Sequence, residues 1–198
     1  MTTKEKILVN SLRLFSKKGY NGTSVRDIAY SVGIKESSLY NHFKSKQDIF
    51  DSVVDFCFEK AREYFNLQEI PFDIDDDISI YCNVDTDKLV EIIIKTFGYF
   101  FEDEYNKMFR QLLINSRFEN KTAEDIYIKL YVDYPLEFQS GIFKMLMDKG
   151  KFRRENPMTV AREFYGVIFM LIHTSQSLEQ AKPVIESHVK QFIKNYSI

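Results

Sequence analysis

Between Thr23 and Lys46 the chain reads T-S-V-R-D-I-A-Y-S-V-G-I-K-E-S-S-L-Y-N-H-F-K-S-K, a pattern that leaves room for little but two short helices and a tight turn. Val25, Ile28, Ala29 and Val32 recur at i, i+3, i+4 and i+7, one face of a helix. Ser24 stands before that stripe as an N-cap, Asp27 follows at capping-box spacing, and Gly33 ends it. After Gly33-Ile34 a second helix restarts through Glu36, Ser37 and Ser38, with Leu39 and Phe43 one turn apart on its inner side. Helix, glycine turn, helix is an arrangement that sets its second member in a DNA major groove.

The outward positions of that second helix are Lys35, Glu36, Ser37, Ser38, Tyr40, Asn41 and His42. Their chemistry suits a groove reader. A hydroxyl exchanges hydrogen bonds with a base edge, Asn pairs with adenine bidentately, Glu accepts from cytosine, and Lys or Tyr holds a phosphate. The plainer alternative is the wet side of a short surface helix. Two flanking features favour the groove reader. Ser45-Lys46-Gln47-Asp48 repeats the capping-box spacing and opens a long helix, aiming Lys46 and free N–H groups at an anion. Upstream, Ile7, Leu8, Leu12 and Phe15 mark an amphipathic first helix that Gly19 stops. The expectation is a three-helix head over residues 1–46, continued by a connecting helix from 45 to about 66.

Ile7 to Phe50 resembles the N-terminal domain of the TetR family of bacterial transcriptional repressors. The matching stretches are L-F-S-K-K-G-Y, T-S-V-R-D-I-A and V-G-I-K-E-S-S-L-Y-N-H-F-K-S-K, and the segment from Ile7 to Phe50 is about a quarter of the chain. One departure is Lys35, which stands where the family often has a Ser or Thr N-cap. The resemblance implies phosphate contacts from Ser24, Tyr40, His42 and Lys46, and base-edge reading by some of Arg26, Glu36, Ser37 and Asn41, with Ser38 serving either role. Arg26 could equally pair with a carboxylate, and Tyr40 could be half core.

With 198 residues, 44% hydrophobic and 15% aromatic, the chain can bury a core and divides into one or two domains. No run of eighteen apolar residues occurs and M-T-T-K-E-K lacks a signal peptide's apolar stretch, so a cytoplasmic protein without a membrane span is expected. Net charge is −2, but residues 1–50 hold nine Lys or Arg against four Asp or Glu, a surplus of +5 where phosphate attraction needs it. Cys57 and Cys82 lie 25 positions apart without C-x-x-C, which predicts plain thiols, no zinc site and no disulfide. No cofactor, metal or catalytic motif is legible, and the chain has only seven glycines, so an enzyme is not expected. The alternative kept is a helical adaptor that retains the head and binds a protein partner.

The rest reads as all-α, about nine helices in total, with 47–198 as a helical regulatory and dimerisation domain. An acidic connector, 67–85, carries six carboxylates and no Lys or Arg, and its Ile70, Phe72, Ile74, Ile78 and Ile80 can dock on the body. Its D-I-D-D-D cluster lacks the Gly and distal Glu of a calcium loop. Helical periods then run over about 86–103, 104–119, 122–149, 157–177 and 182–196. Thr122 to Asp125 has capping-box spacing, Asn156-Pro157 starts a helix, Pro135 kinks or divides the long one, and Pro183 falls in the first turn of the last.

Residues 157–177 are apolar nearly all round, which demands burial on several sides. The resemblance implies that this helix and 182–196 pair with their copies in a homodimer, placing two reading helices on a palindromic DNA operator. It also implies an effector pocket among the body's aromatic side chains, suited to a hydrophobic or aromatic small molecule, with Phe101, Tyr131, Phe169 and His173 as candidate lining. His173 is also readable as a satisfied core histidine.

Overall fold

The computed structural model describes residues 1–72, 76–118 and 120–198. Ile74 of the connector, the first three positions of the Asp73–Asp77 cluster and Glu119, the expected end of one helix, lie outside the described residues. The fold is all-α, and two compact units divide the chain: Met1–Glu63 with Glu104–Tyr127, and Tyr64–Asp103 with Ile128–Ile198.

The first unit contains α1 (Thr3–Lys18), α2 (Val25–Val32), α3 (Glu36–Leu39), most of α4 (Lys46–Leu67), α6 (Glu104–Ser116) and the body of α7 (Lys121–Ile128). Its core is built mainly on apolar side chains: Ile7, Leu12, Phe15, Ile28, Leu39, Ile49, Phe50, Val53, Leu112 and Leu113 are all 0% exposed. Each such side chain contributes about 1.5–3 kcal/mol over leaving it in water. Two polar ties join α6 to the head, Asn115 Nδ2 donating to Ser16 O at 3.0 Å and the Tyr20 amide to Ser116 Oγ at 3.4 Å. The turn between α1 and α2 requires a glycine at 22, because a Cβ there would stand 2.2 Å from Lys18 O.

The second unit contains a 3-10 turn (Ile78–Cys82), α5 (Thr86–Glu102), a π-helical turn (Lys129–Asp133), α8 (Tyr134–Asp148), α9 (Pro157–Thr174) and α10 (Leu178–Tyr196). Phe143, Phe164 and Phe192 meet with centroids 5.0–5.7 Å apart, and Phe152 stacks on Phe143 at 6.0 Å. The chain end closes over this cluster: Arg153 N donates to Tyr196 O, Ile198 N to Lys151 O, and Phe152 pairs with Ser197 in a single antiparallel bridge.

Counting α7, the π turn and α8 as one interrupted helix gives nine helices among the described residues. Several starts differ from the sequence expectation. Asn120 caps α7, its Oδ1 accepting from Ala123 N at 3.2 Å, so the helix begins ahead of Thr122. Ser177 caps α10 through Gln180 N, so that helix begins at Leu178 and carries Pro183 inside it rather than in its first turn. Asn156 caps α9 as its N-P dipeptide predicts, with Pro157 first in the helix.

Candidate nucleic-acid interface

Ser24 and Asp27 form a reciprocal cap. Ser24 Oγ accepts from the Asp27 amide at 3.1 Å while Asp27 Oδ2 accepts from the Ser24 amide at 2.9 Å and from its hydroxyl at 2.6 Å. These bonds, the Ser24 hydroxyl first and its amide second, hold the Asp27 carboxyl below the usual carboxylate range, with Lys18 and Arg26 adding attraction. At the other end Gly33 takes the left-handed conformation at φ +77°, and the Ile34 amide closes on Ala29 O at 3.0 Å. A rigid two-turn helix results, and it fixes where α3 starts.

The second helix of the pair is shorter than its pattern suggests. It spans Glu36–Leu39 and continues as a turn through Tyr40, Asn41 and His42, whose amide bonds to Leu39 O at 2.9 Å. Lys35 at the N-cap makes no side-chain bond, as expected of a side chain with no acceptor, so the first turn is held by the burial of Leu39 and Phe43 rather than by a cap. Lys35, Glu36, Ser37, Tyr40, Asn41 and His42 are exposed and Ser38 is half-buried, so the predicted polar tips reach solvent. Tyr40 is 52% exposed, which places it outside the core. Arg26 is exposed on α2, and one turn on, Tyr30 is 87% exposed. Tyr30 was not singled out from the sequence; its i+4 spacing from Arg26 on the polar side of α2 was the available signal.

α4 starts differently from its expected capping box. The Asp48 amide does donate to Ser45 Oγ at 3.1 Å, but Asp48 Oδ2 accepts from the Lys44 amide at 2.7 Å. Of the nine cations in residues 1–50, eight are exposed and Lys46 is half-buried. Its Nζ donates to Tyr20 O at 3.0 Å and to Thr23 O at 3.1 Å.

In the second unit, the structure brings three of the four candidate effector residues together. Tyr131 is 2% exposed, its ring 6.1 Å from Phe100 and 6.3 Å from His173, and Phe169 lies 4.2 Å from His173. His173 Nδ1 donates to Phe169 O at 2.7 Å within α9; a carbonyl only accepts, which assigns the proton to that nitrogen. Phe101 is buried, whereas the adjacent Phe100 carries the ring that reaches Tyr131. Gln139, also missed from the sequence, is 7% exposed and its Oε1 makes no protein hydrogen bond. Glu102 and Glu104 are exposed. Cys57 and Cys82 are buried free thiols, and among the described residues no group of three or more His, Cys, Asp or Glu could hold a metal. No described helix is long and apolar enough to cross a membrane.

Residues 7–53 match the family model for bacterial regulatory proteins of the tetR family. The chain is 35% identical over 139 residues to the biofilm operon icaADBC HTH-type negative transcriptional regulator IcaR of Staphylococcus epidermidis, covering 65% of this chain and 69% of that one. To the protein of the same name in Staphylococcus aureus strain Newman it is 28% identical over 204 residues, 96% of this chain and 92% of the relative. The fold is similar to that of the SmeT–triclosan complex, with a TM-score of 0.69 at 17% identity over 100% of this chain and 93% of the other. This chain belongs to the TetR family of bacterial regulatory proteins, which are DNA-binding transcriptional regulators and not enzymes.

Proposed function

We propose that the protein is a ligand-responsive repressor that binds a palindromic operator as a homodimer. The observation that carries this reading is the exposed row Lys35, Glu36, Ser37, Tyr40, Asn41 and His42 on a segment anchored by two buried apolar side chains. Glu36, Ser37, Asn41 and Arg26 read base edges; Lys35, Tyr40 and His42 hold phosphates, Ser38 serves either end, and Ser24 is left as a cap because its hydroxyl and amide both donate to Asp27 Oδ2. The repressor sign rests on the IcaR relatives, which are named negative regulators.

Residues 1–46 read DNA in this account, and 47–198 regulate and dimerise. Met170 on α9 and Val184 on α10 are 51% and 43% exposed, large apolar side chains that a second copy would cover. An aromatic effector is the class that the rings of Tyr131, Phe169 and His173 would stack with, and the SmeT structure is a complex with triclosan. Such an effector shifts occupancy only by its differential affinity for the two states, typically about 1–3 kcal/mol of coupling. The place of action is the cytoplasm.

The test is transcription in vitro from native promoter fragments that the purified protein retains. Transcript should fall as protein is added. A rise, or no change with the promoter bound, would overturn the repressor sign.

A further inference from the structure

Lys46 opens α4, and two of its three donors are committed to the protein's own backbone. Its ammonium carries three donors. Two go to Tyr20 O and Thr23 O, and the Nζ stands 4.2 Å from the centre of the Tyr20 ring, within cation–π range. Both carbonyls belong to the turn between α1 and α2, where regular helix bonding has stopped. Thr23 is 1% exposed, and a buried carbonyl outside a helix needs a donor. Local chain offers little: Tyr20 O receives a long 3.4 Å bond from the Thr23 amide.

The same turn is held on other sides. Tyr20 Oη donates to Gln47 Oε1 at 3.0 Å, and its ring packs on Phe50 at 5.3 Å and on Phe15 at 5.6 Å. Thr23 directly precedes Ser24, the N-cap of α2. A displacement of the first turn of α4 is therefore transmitted to the residue that sets the start of α2.

We propose that Lys46 serves operator binding as a positioning residue: it fastens the turn ahead of α2 to the first turn of α4, and does not itself neutralise a DNA phosphate. This rests on the DNA-reading function proposed above. Amide hydrogen exchange of the full-length free protein and binding to mixed-sequence duplex DNA over a salt series test it together, for wild type and Lys46→Met. The expected result is at least about tenfold faster exchange in the first turn of α2, with α6 protection kept. Binding should weaken while the slope of log K against log salt stays unchanged. A slope shallower by about 0.9 with unchanged exchange is the signature of a lost phosphate contact and would overturn the proposal. So would exchange rising equally in α1, α2 and α6, which marks a general loss of stability. Lys46→Gln, a milder change, is read the same way if the Met variant does not fold. If wild type binds no duplex, the DNA-reading function falls, while the exchange pattern still decides the tie.

Discussion

Tyr165 Oη donates a 3.0 Å hydrogen bond to the carbonyl of Tyr131, the oxygen that Pro135 leaves without its helical donor. Proline four residues on has no N–H to give, and the chain answers with a π-helical turn over Lys129–Asp133 closed by the Tyr134 amide on Lys129 O. Tyr131 and Tyr165 are 2% and 4% exposed, so water is a poor substitute donor. Tyr165→Phe should therefore cost about 0.5–1.5 kcal/mol, the net worth of a buried hydrogen bond. Pro135→Ala restores an N–H to the helix, and the double variant should lose less than the sum of the two. Urea unfolding measures all three; strict additivity would contradict the link.

Ser24→Ala should lower stability by about 1 kcal/mol through the lost N-cap, read as a shift in denaturant midpoint without a change in slope. An unshifted midpoint would mean the cap contributes nothing.

The Asp27 carboxyl gives a pH signature. Its value is lower in the folded protein, so its contribution is present above the unfolded carboxylate range, near about 3.9, and is lost as pH falls through the folded value. The stability gap between wild type and Asp27→Asn should narrow on acidification from neutral pH. A gap constant down to the lowest folded pH would remove Asp27 as the cause.

Lys35→Gln should flatten the salt dependence of DNA binding by about 0.9 in log K against log salt and leave the preferred bases alone. Asn41→Ala should change the preferred base at one position of each half-site. Selection on randomised duplexes distinguishes them, and an Asn41→Ala protein with wild-type preference would remove Asn41 from the reading set.

Met170→Glu combined with Val184→Glu should give a folded monomer in sedimentation, because both positions are exposed within the single chain and their charge would fall inside the proposed dimer interface. A dimer that persists would place the interface elsewhere.

Local signals were legible where one residue decides the backbone. The Ser24–Asp27 cap, the Gly33 stop and the Asn156-Pro157 start all act within four positions of the chain, and the structure forms each of them. Starts were misread where two caps compete: Asn120 stands just ahead of Thr122, and Ser177 ahead of the proline-bearing turn that seemed to begin α10. The recognition helix was read too long because Leu39 and Phe43 keep helical spacing although the backbone between them is a turn. The inward bonds of Lys46 join residues 26 and 23 positions apart, beyond any periodicity. Buried Gln139 sits amid an apolar pattern that gives no sign of an unpaired amide oxygen.

The central claim is that this chain reads an operator as a symmetric pair, and selection from native genomic fragments tests it most directly. Purified protein is mixed with the fragments at moderate salt and the retained DNA is sequenced. The account predicts a shared inverted repeat whose half-sites are separated by about 34–36 Å or a multiple of it. Retained fragments with no common repeat, bound only at low salt, would contradict it.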